Sequence, residues 1–180
     1  MVQQFRLSKV SGKFIEILLW LIGLNREEIY VSELSKELKM SKSTVIKWLE
    51  ELTKWELVTE RKRGNMHYYR INGENPIIKQ FKILQSVSEL TPLMKSLKGM
   101  AEVYLFGSSA RGEDRPDSDY DILVVTKLNS NEVFKKLKNE DRLKNRKISL
   151  LIVKPFEYAD MAKHDPALYQ RIEIDKIRLV

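Results

Sequence analysis

The sequence predicts an α+β protein of two domains, the first made of helices and a β-hairpin and the second of a mixed sheet flanked by helices. Three observations support this fold class. The length of 180 residues suits two small domains. Apolar residues follow helical spacing in the first 56 residues and in the connector 76–99, whereas strand-like runs occur at 57–71 and, alternating with helices, after residue 100. The net charge is +6 over residues 1–99 but only +1 over residues 100–180, so the two halves differ in character.

The first domain, residues 1–75, has the element order of a winged helix. Its spacing and capping residues predict helices at 12–24, from Ser32, and from Ser41 or Ser43, then strands at 57–63 and 66–71. Gly64-Asn65 between the strands is typical of a two-residue hairpin turn. Three helices followed by a hairpin therefore predict a winged helix.

Residues 76–99 are predicted to form a helical connector that contains the domain boundary. Asn75-Pro76 places a capping side chain before a proline at the first helical position. Thr91-Pro92 repeats this pattern, so we expect a second helical piece that ends near Gly99.

The second domain, residues 100–180, alternates strands with helices. Apolar and β-branched runs predict strands at 101–106, 120–125 and 148–153, with a closing strand at 177–180. Helices are expected at 108–112, at 131–143 and from Asp165-Pro166. This alternation predicts a mixed sheet with helices packed on it.

The composition excludes several classes of protein. There is no cysteine, so neither a disulfide nor a thiolate metal site can form. The most apolar run, Phe14 to Leu24, is shorter than the roughly 20 residues that span a bilayer. No export signal is evident in Met1 to Lys9. We therefore expect a cytoplasmic protein with no membrane partner.

A glycine–serine turn between two predicted elements suggests phosphate binding. The predicted strand ends at Gly107, and a helix starts with Ser108 and Ser109. Free N–H groups at a helix start bind phosphate, and glycine lets the backbone approach the ligand closely. The two serines can add hydroxyl donors, and Arg111 is placed to meet phosphate charge.

Two aspartates next to this turn predict a metal site. Asp119 and Asp121 are two residues apart at the start of a predicted strand, so they point to the same face. Adjacent carboxylates repel each other unless a cation lies between them, and such hard oxygen ligands suit Mg²⁺ or Mn²⁺. The alternative is that these residues, with Asp117, form a solvated turn. Their proximity to the glycine–serine turn favours the metal site.

The spacing of Gly107-Ser108, ten residues, then Asp119-Tyr120-Asp121 resembles the polymerase-β-like nucleotidyltransferase superfamily. The likeness is greatest to the minimal nucleotidyltransferases, over roughly residues 93–180. It implies that Gly107 and Ser108 hold a nucleoside triphosphate, while Asp119 and Asp121 hold the catalytic metals. It also implies transfer of a nucleoside monophosphate to a hydroxyl, and an antitoxin-like role with a HEPN-type toxin partner.

The sequence departs from that family at the next strand. Active members carry a third carboxylate there, but the alternation of apolar residues places Ser149 at this position. The strand has no other acid, so metal binding is favoured over full catalytic competence. Glu157, Asp160, Glu173 or Asp175 would have to fold back to replace the missing group.

The basic first domain is predicted to bind duplex DNA as a homodimer. It resembles winged helix-turn-helix regulators, with the helix-turn-helix at 31–55. A recognition helix presents polar residues near its start to the major groove, and the wing contacts phosphate or the minor groove. The candidate DNA-binding residues are Lys42, Ser43, Thr44 and Lys47 in the helix and Arg61, Lys62 and Arg63 in the wing. A winged helix used only for protein contacts is the alternative.

Two functions follow from these observations. The first is a winged-helix protein whose minimal nucleotidyltransferase domain binds Mg–NTP and transfers a nucleotide to a protein or small-molecule hydroxyl. The second is a DNA-binding transcriptional regulator whose catalytically degenerate domain senses nucleotide. Ser149 favours the second function, whereas the intact glycine, serine and aspartate set supports the first.

Overall fold

The computed structural model describes residues 10–24, 28–137 and 146–180. The chain forms two compact units, which divide between Phe81 and Lys82. The first contains helices and a three-stranded sheet, and the second a four-stranded sheet with helices. The predicted α+β fold class is therefore confirmed. No helix of the described segments is both long and apolar enough to cross a membrane.

The first unit has the three helices and the hairpin that the sequence predicts. Its elements are α1 (Gly12–Ile22), β1 (Ile29–Tyr30), α2 (Val31–Glu37), α3 (Lys42–Lys54), β2 (Val58–Arg63) and β3 (Met66–Ile71). The strands form an antiparallel sheet in the order β1-β3-β2. Arg63 pairs with Met66, so Gly64 and Asn65 form the two-residue connection.

The two predicted helix caps of this unit have different outcomes. Ser41 caps α3, since its hydroxyl accepts a hydrogen bond from the Thr44 amide at 3.2 Å. The prediction that Ser32 caps α2 is wrong, because that helix begins at Val31 after Tyr30, which makes no side-chain cap bond. Tyr30 is paired with Tyr68 in the sheet, so the chain enters α2 directly from β1 and needs no capping loop.

One apolar core joins the helices of the first unit to its sheet. Helix α3 contributes Val45, Leu49 and Leu52 at helical spacing, and all three are fully buried. The same cluster includes Phe14, Ile17 and Leu18 of α1, Leu34 of α2, and Ile29, Leu57 and Tyr69 around the sheet. Because α3 is anchored on this face, its first turn and opposite face are left at the surface.

Helix α4 (Pro76–Met94) is continuous, which corrects the prediction of a second start at Thr91-Pro92. Pro92 lies within its last turn, where an interior proline costs roughly 3 kcal/mol. Leu90 and Met94 are fully buried on either side of it, and each buried side chain of this kind contributes about 1.5–3 kcal/mol. Packing therefore outweighs the local penalty, and a 3₁₀ turn (Lys95–Leu97) follows.

The second unit is a mixed sheet with helices on both faces. Its elements after the 3₁₀ turn are β4 (Ala101–Phe106), α5 (Ser108–Arg111), β5 (Tyr120–Thr126), α6 (Ser130–Leu137), β6 (Ile148–Val153), α7 (Pro155–His164), α8 (Pro166–Asp175) and β7 (Ile177–Arg178). The strand order is β6-β5-β4-β7, and only the β5–β6 pair is parallel. The sequence analysis did not predict α7, and residues 138–143 of the predicted 131–143 helix lie outside the described segments.

Alternation along β5 assigns its side chains to two faces. Tyr120, Ile122 and Val124 belong to the core that α4 and α6 complete. Leu123 and Val125 belong to a second core with Phe106 and Ile172, a residue of α8. Asp121 shares the parity of Leu123, so its side chain lies on the α8 face of the sheet.

Candidate functional site

The candidate recognition helix presents its predicted polar residues at the surface. Lys42, Ser43 and Lys47 are exposed, while Thr44 is half-buried. The Ser41 hydroxyl is hydrogen-bonded to the hydroxyls of Ser43, at 3.0 Å, and Thr44, at 2.8 Å. These contacts order the first turn of α3, where a major-groove reader carries its base contacts.

The three basic wing residues are exposed, and the structure places an acid beside two of them. Glu28 forms an ion pair with Arg63 at 2.9 Å and lies 4.0 Å from Arg61. The Arg63 guanidinium also lies over the Tyr68 ring, 5.2 Å from its centroid. Glu28 and Tyr68 therefore orient Arg63, whereas the Arg61 side chain is 69% exposed and lies at the edge of ion-pair distance. The sequence analysis missed Glu28, which lies 33 residues before Arg61.

The candidate phosphate site begins where β4 ends beside the start of β5. Phe106 pairs with Asp121, which puts the next residue, Gly107, against the Asp121 carboxylate. Gly107 has φ +75° and ψ −153°, a conformation that only glycine adopts readily. A Cβ atom at this position would lie 2.7 Å from Asp121 Oδ2. Glycine thus allows the turn backbone and the carboxylate to meet.

The turn after Gly107 offers backbone donors at one end. Helix α5 has only four residues, so little helix dipole is available. Its own hydrogen bonds begin with the Ala110 amide, which donates to the Gly107 carbonyl at 3.1 Å. The amides of Ser108 and Ser109 precede that donor in the chain, where Ser108 is half-buried and Ser109 is buried. Backbone N–H groups in such a turn form an anion-binding concavity.

Two predicted phosphate contacts have other partners in the structure. Ser109 is 1% exposed, and its hydroxyl accepts a hydrogen bond from Arg146 at 3.1 Å. Arg111 donates to Glu113 at 2.8 Å and is paired with Asp175. The structure therefore brings Gly107 to Asp121, whereas the Ser109 and Arg111 side chains are engaged elsewhere.

The carboxylates of Asp119 and Asp121 differ in their exposure to solvent. Asp119 is exposed, while Asp121 is half-buried. Burial raises the pKa of Asp121, the nearby Arg171 opposes that rise, and the Asp119 carboxylate adds to it. Because burial and a neighbouring negative charge both disfavour ionisation here, the pair is arranged to gain from a bound cation.

The donor set suits a cation that takes further ligands from elsewhere. In the described part of the chain, no group of three or more His, Cys, Asp and Glu residues could hold a metal. Two carboxylates alone match Mg²⁺, which is bound through one or two carboxylates and completes its shell with water and substrate phosphate. The residues present therefore fit this ion beside a phosphate-binding turn.

Comparison with known proteins identifies the second unit. A family model described as a nucleotidyltransferase domain matches residues 82–179. The chain belongs to this nucleotidyltransferase family. A second model, for bacterial regulatory proteins of the ArsR family, matches residues 15–60. The protein thus combines a helix-turn-helix DNA-binding region with a nucleotidyltransferase-type domain, as the sequence predicted.

Two solved structures have related segments. One is the homodimeric winged helix-turn-helix DNA-binding domain of a proposed ArsR-family regulator from Mycobacterium bovis, with 29% identity and a TM-score of 0.38, covering 44% of this chain and 70% of that one. The other is a proposed nucleotidyltransferase from Sulfolobus solfataricus, with 24% identity and a TM-score of 0.36, covering 59% of this chain and 87% of that one. No curated protein matches the chain.

The strand register of the nucleotidyltransferase domain places Ser149 directly beside Asp121. The two residues are partners in the parallel β5–β6 pair, so their side chains lie on the same face of the sheet. Ser149 is exposed there. A carboxylate at this position would stand next to the aspartate pair, whereas serine supplies only a neutral hydroxyl.

The four acids considered as replacements have other partners. Glu157 caps α7 by accepting from the Lys154 amide at 2.7 Å, and Asp160 is paired with Lys163 and His164. Glu173 accepts from Lys176 and Tyr158, and Asp175 accepts from Arg111. Each side chain thus already serves a local contact.

Two residues of the nucleotidyltransferase domain were missed by the sequence analysis. Arg171 of α8 lies close enough to Asp121 to counter its raised pKa. Arg146, which precedes β6, contacts three segments around the site. Each arginine is far along the chain from the residues that it affects. No short sequence motif therefore indicates either one.

Proposed function

We propose that the second unit binds a nucleoside triphosphate together with Mg²⁺ or Mn²⁺. The observation that carries this proposal is the contact between the Gly107 turn and the Asp121 carboxylate. The turn proposed to bind phosphate and the carboxylate proposed to bind the cation lie side by side. A Cβ atom added at Gly107 would be only 2.7 Å from Asp121 Oδ2. Nucleotide binding through a metal needs this combination.

The proposed roles follow from the chemistry of each group. The Ser108 and Ser109 amides, with the Ser108 hydroxyl, donate to phosphate oxygens, and Asp119 and Asp121 hold the cation. When bound, Mg²⁺ supplies charge neutralisation at the transferring phosphoryl group. Arg171 adds a positive charge on the Asp121 side of the sheet. Together these groups would orient a triphosphate against the start of β5.

Nucleotidyl transfer is the activity that this arrangement serves. An acceptor hydroxyl oxygen would form a bond to the α-phosphorus as the bond to the pyrophosphate oxygen breaks. The acceptor proton must leave during this step, and Ser149, beside Asp121, is a poor base at neutral pH. We therefore propose slow transfer to a protein or small-molecule hydroxyl.

The second candidate function is a transcriptional regulator that senses nucleotide without catalysis. The position of Ser149 beside Asp121 favours it, because triphosphate binding needs the turn and the two aspartates but not a base. An enzyme and a sensor share the same binding step, and a transfer assay separates them.

For the first unit we propose binding of duplex DNA by a homodimer. The exposed start of α3 is suited to the major groove, and the arginines held around Glu28 are suited to phosphate. Two copies would read two half-sites, as dimeric helix-turn-helix proteins do.

The resemblance to minimal nucleotidyltransferases adds a HEPN-type toxin as the proposed protein partner and acceptor. Phe156 of α7 and Ile174 of α8 are 72% and 82% exposed, which provides apolar contact points on two successive helices. A large apolar side chain at the surface can anchor a protein partner.

Calorimetry with the full chain tests the central proposal. Each of the four ribonucleoside triphosphates is titrated with Mg²⁺ and with EDTA, using wild type and the double variant Asp119→Asn/Asp121→Asn. We expect Mg²⁺-dependent binding in wild type and its loss in the double variant. Asp160, which is half-buried and paired within α7, provides the matched control Asp160→Asn. Equal affinity with and without the metal would contradict the proposal.

A further inference from the structure

Arg146 is a nearly buried cation with a partner for each of its three nitrogens. Its side chain is 13% exposed. Nη1 donates to Asp114 Oδ2 at 2.7 Å, Nη2 to the Ser109 hydroxyl at 3.1 Å, and Nε to the Ser118 carbonyl at 2.7 Å. The guanidinium carbon lies 3.8 Å from the centroid of the Tyr120 ring. Such a set of contacts offsets the cost of burying the charge.

The partners of Arg146 belong to separate segments of the chain. Ser109 lies in the turn that follows Gly107, and Asp114 lies in the loop after it. Ser118 and Tyr120 alternate with Asp119 and Asp121 at the start of β5. One planar side chain therefore connects the phosphate-binding turn to the carboxylate pair.

Arg146 acts on the face of the sheet opposite to the carboxylates. Tyr120 belongs to the core on the α4 and α6 face, whereas Asp121 shares the face of Leu123 and α8. The guanidinium thus packs on the face of the sheet that does not carry the Asp121 side chain. This placement suits a residue that positions the site.

The surrounding contacts make the arrangement rigid. The Tyr120 ring under the guanidinium is 2% exposed, so core packing holds it, and its hydroxyl donates to Glu89 Oε2 at 2.7 Å. Asp114 is 7% exposed, lies 3.9 Å from Lys82 Nζ through Oδ1, and accepts from Lys82 through its backbone carbonyl. Asp114 and Tyr120, two of the groups that contact Arg146, are therefore held by contacts of their own.

We propose that Arg146 is a positioning residue that sets the separation between the Gly107–Ser108 turn and the Asp119–Asp121 pair, so that triphosphate and cation bind cooperatively. This inference rests on the proposed function of the site. A lysine at position 146 would keep one charge near Asp114 but could not span the three acceptors, because its donors share one nitrogen. Cooperativity between the two ligands should therefore depend on arginine.

Calorimetry of the full chain measures this cooperativity as the ratio of ATP affinities with Mg²⁺ and with EDTA. Arg146→Lys should lower affinity in Mg²⁺ by about 10–100-fold, the range typical of residues that orient metal ligands, and leave the affinity in EDTA nearly unchanged. Ser109→Ala, which removes one acceptor, should produce a smaller change in the same direction. GTP, CTP and UTP are run in parallel.

Tyr120→Phe is the matched control. It removes the buried hydrogen bond to Glu89 but keeps the ring beneath Arg146. It should lower Tm and retain the wild-type affinity ratio. An effect of Arg146→Lys on Tm with the wild-type ratio intact would overturn the proposal, because a merely structural residue behaves in that way.

Amide hydrogen exchange in the absence of ligand separates this inference from the proposed function. If wild type binds none of the four triphosphates in a metal-dependent manner, the proposed function fails. The exchange result then tests only whether Arg146 connects the turn after Gly107 to the segment that carries the aspartates. Arg146→Lys should speed exchange in both residues 108–112 and residues 118–121, whereas Tyr120→Phe should not. Unchanged exchange in either segment would overturn the connecting role.

Discussion

At the scale of single residues, the candidate site depends on the close approach of Gly107 and the Asp121 carboxylate. Gly107 adopts a backbone conformation that costs other residues about 1–3 kcal/mol. It also leaves the space in which Asp121 Oδ2 lies. Asp121, in turn, is half-buried next to a second carboxylate, which raises its pKa. Both features carry a local cost in stability, which the proposed ligands would offset.

Replacing Asp121 should reveal that cost as a change in stability. Because the folded-state pKa of Asp121 lies above its ordinary value, the ionised side chain destabilises the fold at neutral pH. The destabilisation is relieved as the pH falls through that raised pKa. In EDTA at pH 7, Asp121→Asn should therefore unfold at a higher Tm than wild type, and the difference should shrink in acid.

Scanning calorimetry against pH checks this expectation. The exposed neighbour Asp117 provides the control, since Asp117→Asn should leave Tm nearly unchanged. Adding Mg²⁺ and nucleotide should stabilise wild type but not Asp121→Asn. A lower Tm for Asp121→Asn in EDTA would show that its carboxylate makes a stabilising contact in the fold.

At the scale of elements, strand register determines what can assist the reaction. The parallel β5–β6 pair aligns Asp121 with Ser149, so a side chain of β6 stands beside the proposed metal site. The alternation of apolar residues was enough to predict this position, because a register shift by one residue would turn the buried side chains outward. The strand pairing supports the proposal that the missing acid is at Ser149.

Restoring an acid on β6 should raise any nucleotidyl transfer rate. A carboxylate beside Asp121 can help to draw off the acceptor proton, and general-base assistance typically contributes about 10²–10⁴-fold. Ser149→Asp should therefore increase the rate with radiolabelled ATP while leaving ATP affinity similar. Ser149→Ala is the matched control and should resemble wild type. A wild-type rate typical of an efficient enzyme, with Ser149→Asp inactive, would refute the assigned role.

Some elements differ from local expectation because packing outweighs local preference. The capping pattern at Thr91-Pro92 is a start signal, yet α4 continues through it since Leu90, Leu93 and Met94 are buried along its length. Helix α7 begins at a proline with Glu157 as a capping partner, signals that are present in the sequence but were not used. The short strand β1 exists only through its pairing with β3.

At the scale of the whole molecule, the two units differ in charge and in chemistry. The excess positive charge lies in residues 1–99, and the residues proposed to bind phosphate and metal lie in residues 107–121. An electrostatic partner such as duplex DNA would therefore bind the first unit, and its affinity would depend on salt. Ligand binding by the second unit would depend on a few residues brought together locally and much less on the net charge of the unit.

DNA binding by the full chain should weaken steeply as salt rises. Each neutralised phosphate releases about 0.9 counterion, so Arg61→Ala/Arg63→Ala should lower affinity for all duplex sequences and reduce the salt slope by about two. Fluorescence anisotropy with several duplexes at stepped salt concentrations measures both quantities. Lys163→Ala, a change of an exposed lysine on α7, should leave them unchanged. Undetectable binding at low salt would contradict a DNA-binding role.

The sequence by itself determined the two-part organisation, the winged-helix element order and the Gly107, Ser108, Asp119 and Asp121 constellation. These features are local, because helical spacing, turn chemistry and short motifs act over a few residues along the chain. The tertiary structure decided what surrounds them. Contacts of Arg146 with Ser109 and of Glu28 with Arg63, and the electrostatic effect of Arg171 on Asp121, join residues that are 35 to 50 positions apart. Only strand pairing and core packing bring such residues together, so no spacing in the sequence could have revealed them.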